Sequence, residues 1–284
     1  MIRLDAATVL LQWATGGLLF LWVTSRRREV GLGYGWLLRG TYLVFAVAAV
    51  VTGVWLEPVP VRDVFAGLAA AAALVAFVVS VVRRKAGVRG QEELAEARSE
   101  RVAAMTGIDR EAAAKDTSVP EFPPALDLIA PTLGAVGLVA AAFDAGGNEL
   151  VGLLRVLVGA AFLGAVTDAM LLGHWYLVQP GMSRRPLLEL VRATLWLTPV
   201  EIAVMLLPTG MFSVWSGAVD DGYNGILGWF WAVCAGGTIA LCLVTRAALK
   251  ERYYSAVMAA TGLLYLAILT AFGTDLVARA VLAA

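Results

Sequence analysis

The chain has 284 residues, 60% hydrophobic and 15% charged, with a mean hydropathy of +0.78 and no formal net charge. Soluble domains run at about 45–50% apolar and about 25% charged. The composition therefore excludes an ordinary soluble globule, and the balanced charge excludes a basic nucleic-acid surface.

The apolar residues gather in blocks of about 20, the length a helix needs to cross hydrocarbon. The first, residues 6–24, is followed rather than preceded by Arg26-Arg27-Arg28. Basic residues stay on the cytoplasmic side, so this reads as an uncleaved helix with its N-terminus outside. The second block, 36–56, is entered by Arg39 and leaves through Glu57-Pro58-Val59-Pro60. The third, 64–82, is alanine-rich and stops at Arg83-Arg84-Lys85.

Residues 87–124 form the longest polar stretch. Its 92–114 portion predicts a charged surface helix, and its prolines predict an extended lead into the next block. It reads as a cytoplasmic connector, with docking of a protein partner as the sharper alternative. Further blocks follow at 125–143, 150–178, 186–207, 225–245 and 253–277. Acidic turns at Asp144 to Glu149 and at Asp220-Asp221 alternate with the basic groups Arg184-Arg185 and Arg246 to Arg252.

The expected fold is thus an all-α integral membrane protein of eight transmembrane helices, multi-pass in the cell membrane, with both termini outside. The two halves also look related. Thr15 leads to Arg39 and Thr41 as Thr167 leads to Arg192 and Thr194, and both Thr132 and Thr261 stand eleven residues before a phenylalanine. This predicts two parallel-repeat four-helix bundles, about an axis along the membrane normal. The first comprises 1–86 plus 125–149, the second 150–284, joined by the connector 87–124.

Ionisable residues at membrane depth are costly, at least about 2.5 kcal/mol each on insertion scales, and tend to be functional. The chain's single histidine, His174, lies late in the fifth block, with Asp168 six residues before it. The two sit about a third of a turn apart, so they form no ready dyad. A small-residue stripe, Ala165, Ala169 and Gly173, suits close helix contact. The sixth helix returns antiparallel, which brings Glu189 and Arg192 to the depth of His174, and Met258 on the eighth lies at a similar level. Higher on the sixth helix, Thr194, Thr198 and Glu201 share a face. On the eighth, Tyr254, Met258, Thr261, Tyr265 and Asp275 read as one side. Hydroxyls in such stripes are ordinarily interhelical glue, and His174 beside Trp175 and Tyr176 also fits an interface anchor.

Cys234 and Cys242 stand on one helix about 12 Å apart, too far to bridge. No metal-ligand cluster, nucleotide loop or nucleophile motif is present. No motif identifies a family. In architecture alone, eight helices in two four-helix units resemble the quinone-interacting membrane subunits of the polysulfide-reductase type, and no residue is carried over from them.

The leading expectation is a redox-associated membrane subunit of an electron-transport system. In it His174, Asp168, Arg192, Glu189 and Met258 would line a cytoplasm-facing quinone cavity in the second bundle, with Asp168 and Glu201 relaying protons. A haem is the second choice of cofactor, with a His174–Met258 pair as its only axial option. The alternatives are a proton- or cation-coupled small-molecule transporter and a non-catalytic membrane scaffold.

Overall fold

A computed structural model of the chain describes residues 5–88, 120–179, 182–251 and 253–283. The surface helix expected over 92–114 falls outside the described residues. Among those described there is no strand. Eight long helices carry the fold: α1 (Ala6–Ser25), α2 (Leu32–Leu56), α3 (Pro60–Val82), α4 (Ile129–Asp144), α5 (Glu149–Val178), α6 (Arg185–Leu206), α7 (Ile226–Ala248) and α8 (Tyr254–Ala283).

Their starts follow from the sequence. Asp5 caps α1 by accepting from the Thr8 amide at 2.7 Å, and Asn148 caps α5 through the Val151 amide at 3.1 Å, each satisfying a donor that the first turn leaves free. Pro60 opens α3, where its missing N–H costs nothing. Seven of the helices, all but α6, are long and apolar enough to cross a membrane, α4 when taken together with the short helical turn Pro124–Leu128 ahead of it. The exception, α6, is 22 residues long but carries Arg185, Glu189, Arg192 and Glu201.

Helix α1 packs on α2, α2 on α3, α3 on α4 and α4 back on α1, closing a ring. Helices α5 to α8 close a second ring in the same order, and the rings meet along α1 and α5. At that seam a methyl on Gly16 would stand 1.7 Å from the Ala160 carbonyl oxygen, and one on Gly164 2.1 Å from the Gly16 carbonyl carbon. The two backbones touch because neither position has a side chain, the close approach that small residues allow in apolar surroundings.

The basic segments gather at one end. Glu121 accepts from Arg28, and its backbone carbonyl takes a 3.1 Å bond from Arg83. Glu189 pairs with both Arg26 and Arg27. Arg184 reaches across to the carbonyls of Leu249, at 3.2 Å, and Tyr253, at 2.9 Å.

Three details differ from the sequence reading. Helix α2 begins at Leu32 instead of Trp36, because the glycines there serve packing: a methyl at Gly33 would meet the Trp175 ring at 2.8 Å. Helix α8 runs on past Val277 to Ala283, carrying Arg279 inside the fold. The single stripe expected on α8 also divides. Thr261 and Asp275 are buried, whereas Tyr254, Met258 and Tyr265 are exposed. The stripe straddles the border between the face toward α5 and the outer surface, so neighbouring members fall on opposite sides of it.

Candidate functional site

Helix α1 presents Asp5, Thr8, Gln12 and Thr15 at spacings of three, four and three residues, all buried. Such spacing puts them on one face, along which Asp5 and Thr8 meet Arg62 of α3, Thr15 meets Gly134 of α4 and Gln12 reaches α5 at Gly159. At its acidic end Arg62 of α3 donates to Asp5 Oδ1 at 2.7 Å, to Thr8 Oγ1 at 3.2 Å and to Asp63 Oδ1 at 2.9 Å. Arg62 Nη2 also bonds the Glu57 carbonyl at 2.6 Å. This group is mutually paired and holds the ends of α1, α2 and α3 together.

One step deeper lies a second group that is not fully paired. Arg279 Nε donates to Asp275 Oδ2 at 2.8 Å, one turn back on α8, and Arg279 Nη2 bonds the Arg155 carbonyl at 3.1 Å. Arg155 of α5 turns its own guanidinium to the α6 end, with Nε 3.3 Å from the Val204 carbonyl oxygen. Glu201 of α6 is 0% exposed, and no donor elsewhere in the protein reaches either of its oxygens, although the Asp275 carboxyl lies within hydrogen-bonding reach. Its charged neighbours are Asp275, Arg279 and Arg155. Asp275 Oδ1, Arg279 Nη1 and both polar atoms of Gln12 are likewise buried without a protein partner.

Gly159 shows how tightly these groups converge. A methyl there would stand 2.3 Å from Gln12 Nε2, 2.7 Å from Asp275 Oδ1 and 2.8 Å from Arg279 Nη2. Asp275 and Arg279 of α8 thus meet a carboxamide from α1, with Glu201 of α6 and Arg155 of α5 as their charged neighbours. Formal charge balances across the four ionisable groups, but hydrogen bonding does not. A buried acceptor left unpaired carries a penalty of about 1–3 kcal/mol, more when charged, so this arrangement is not what a purely structural ion pair would be.

On the other side of the Gly16–Gly164 contact sits Asp168, 0% exposed. Its Oδ1 accepts from the Tyr42 hydroxyl, the Tyr34 hydroxyl bonds its backbone carbonyl at 3.3 Å, and its Oδ2 has no protein partner. Beside it, Trp13 Nε1 donates to Thr167 Oγ1 at 2.9 Å, with the Trp13 ring wedged between Phe45 and Phe272 at 4.5 Å from each.

Of the residues expected to line one cavity, the structure does not bring the five together. His174 is exposed and its Nδ1 lies 3.1 Å from the Tyr265 hydroxyl. Glu189 is held by Arg26 and Arg27 and not by His174, because the turn after α1 reaches across to α6. Arg192 is exposed, and Met258, 54% exposed, lies about 10 Å along α8 from the tyrosine that His174 touches. That separation is too great for the two to ligate one haem iron. Asp168 turns away from His174 toward α2. The small-residue stripe does serve close contact, since Thr261 Oγ1 bonds the Gly173 carbonyl at 3.0 Å.

A small cleft of about 40 Å³ exists, but at the basic end of the first ring, lined by Leu21, Ser25, Leu32, Tyr34, Arg39 and Phe122 among others. Arg39 at its edge is itself neutralised, with Nε and Nη2 on the two oxygens of Asp127 at 2.8 and 2.7 Å. Among the described residues no group of three or more metal-ligating side chains gathers.

Sequence reasoning singled out Glu201 and Asp168 but missed Gln12, Arg155, Arg279 and Tyr42. The three–four–three spacing on α1 was a usable signal for Gln12. No family model, curated protein or solved structure matches this chain.

Proposed function

We propose that this chain is a cell-membrane protein that moves protons across the bilayer, alone or coupled to a small solute, with the Glu201–Asp275 carboxyl pair as its proton-holding site. In this reading all eight helices span, α6 included, both termini lie outside, and the rings are the two copies of a duplicated four-helix unit. Three features support it. Helix α6 is as long as its neighbours and packs on both α5 and α7. The two rings close in the same helix order. The basic segments share one end, the cytoplasmic one by the charge rule.

The observation that carries the proposal is Glu201. It is fully buried, no other donor in the protein reaches its oxygens, and it lies within hydrogen-bonding reach of a second carboxyl, Asp275, with two guanidiniums beside the pair. Two carboxyls in such a site share a proton more readily than they both ionise, and Arg155 and Arg279 compensate whatever negative charge is left. Intramembrane acids in this setting ordinarily mark ion or proton pathways.

The test is proton flux into proteoliposomes holding a pH-sensitive dye, driven by a potassium diffusion potential. Wild-type protein should acidify the lumen, and Glu201→Gln, which keeps shape and removes the titrating group, should abolish the flux. Flux no greater than in protein-free liposomes, or an undiminished rate in Glu201→Gln, would refute the reading.

The quinone reading keeps one supporting observation: the His174–Tyr265 pair stands exposed on the surface that the lipid would cover, and whichever of the two donates within the pair, one N–H or O–H is left to bond a headgroup carbonyl. If it binds a quinone, His174→Ala should weaken binding by about 0.5–1.5 kcal/mol, and Trp22→Ala, at the matching position of the first half, should leave it unchanged. Extracted lipid that contains no quinone would remove this second reading.

A further inference from the structure

The cleft at the basic end of the first ring ends on Tyr34, whose ring is part of its lining. Tyr34 is itself buried, and its hydroxyl lies 3.3 Å from the Asp168 carbonyl oxygen. Tyr34 therefore stands between this cleft and the backbone of a residue whose carboxyl is fully buried. Thr24 of α1 is a hydroxyl within hydrogen-bonding reach of Tyr34, and Tyr42 holds Oδ1 of Asp168. Among the described residues no basic side chain pairs with Asp168, and the titratable groups facing it are Tyr42 and Tyr34 alone. The two tyrosines come from α2, which packs on α1 and not on α5 as a main partner. The contacts of these two tyrosines with α5 thus both fall on Asp168, one on its carboxyl and one on its backbone carbonyl.

Toward the acidic end the seam narrows at Gly16 and Gly164, where backbone meets backbone. Asp168 lies on the basic side of that constriction and the Glu201–Asp275 pair on the acidic side, about 13 Å apart along α5 counting from Gly159 to Asp168.

We propose that the cleft is the proton access route of Asp168 from the basic end of the molecule, with Tyr34 as its floor and relay. A hydronium in the cleft gives a proton to the Tyr34 oxygen while the Tyr34 hydroxyl, turning from the Asp168 backbone carbonyl that it bonds at 3.3 Å to the unpartnered Oδ2, passes its hydrogen there. This leaves water in the cleft, an intact tyrosine and a neutral carboxylic acid, and the reverse step returns the proton. The inference rests on the proton-moving reading for its purpose, but not for its test. It divides that function in two, with Glu201–Asp275 serving the acidic end and Asp168 the basic end.

The experiment is infrared spectroscopy of the purified protein, following the carbonyl band of buried carboxylic acid as the solvent is changed to deuterium oxide. Asp168→Asn should remove one such band, and Asp168→Glu should move it, which identifies the band if the asparagine variant does not fold. Leu32→Trp, which fills the cleft from its rim, should retain the band and slow its deuterium shift. Tyr34→Phe, which keeps the ring and removes the relaying hydroxyl, should do the same. Leu243→Trp, on the outer surface of α7, should leave the rate as in wild type. No band assignable to Asp168, or wild-type exchange in both Leu32→Trp and Tyr34→Phe, overturns the proposal. If liposome flux needs Glu201 while exchange ignores the cleft, the route falls and the proton reading stands. Slowed exchange in a protein without flux means the reverse.

Discussion

Arg279 and Asp275 stand one turn apart on α8, Nε 2.8 Å from Oδ2, and both are 0% exposed. A buried pair of this kind gains little net stability, because desolvation offsets attraction, yet removing one partner leaves an uncompensated charge. Arg279→Met should destabilise the protein by about 3–5 kcal/mol, read by equilibrium unfolding in mixed micelles. The double change Arg279→Met with Asp275→Leu should recover much of that loss. Equal losses from the single and double variants would show that packing around the guanidinium stem, and not its charge, holds α8 in place.

Gly16 and Gly164 make a second, uncharged joint. A methyl at Gly16 would meet the Ala160 carbonyl oxygen at 1.7 Å, which cannot be relieved by a side-chain rotation because the obstacle is backbone. Gly16→Val should therefore push α1 off α5 and cost about 1–3 kcal/mol or more. Gly40→Val is the control, since Gly40 is also inside a helix but would meet nothing within 4 Å. Similar stability of the two variants would mean that the rings do not depend on this crossing.

Much of the helical layout was legible because hydrocarbon length and the siting of basic groups are properties of short stretches. The partners of the buried charges were not, because pairing is a property of distant ones. Arg39 reads as a residue at the mouth of α2, whereas its carboxylate, Asp127, lies 88 positions away. Arg279 reads as the end of an apolar run, since nothing local says that Asp275 and Glu201 will receive it. Tyr42 looks like any membrane tyrosine until α5 places Asp168 against it. Asp168 and Glu201 stood out because an acid within an apolar run needs a reason wherever its partners are. His174 stood out by rarity, which is a weaker signal, and it lies at the surface. Helix α6 shows the converse effect: the charges that lower its apolarity include Glu201, whose burial only the neighbouring helices explain.

Arg39 offers a test of geometry apart from charge. It grips both oxygens of Asp127, gives Nη1 to Ser80 Oγ at 3.2 Å, and lies 4.2 Å from the centre of the Phe122 ring. A lysine keeps the charge but offers a single ammonium in place of the planar fork. Arg39→Lys should lose one charge-assisted hydrogen bond or more, about 1.5–3 kcal/mol, in the same unfolding measurement. A loss within error of zero would reduce the fork to a simple ion pair.

The loop ahead of α7 carries a pH-dependent element. Partial burial pulls the Asp221 carboxyl upward, but the amides of Gly225, Tyr223 and Leu227, at 2.8, 2.9 and 2.9 Å, outweigh it and hold the group below its ordinary value. Leu227 is in the first turn of α7, so the carboxylate also sits where the helix dipole favours negative charge. The sign follows from the lowered value. The ionised carboxylate's stabilisation of the loop is fully present above the unfolded-state value for aspartate, and it is lost as the pH falls through the lower folded-state value. Amide hydrogen exchange at Tyr223, Gly225 and Leu227, corrected for the intrinsic pH dependence, should show protection that declines on acidification through that window. Asp221→Asn, which cannot ionise, should reduce the protection at neutral pH and remove its dependence on acid. Protection in wild type that stays level from neutral to strongly acidic solution would show that the loop is held by its backbone turns and not by this carboxylate.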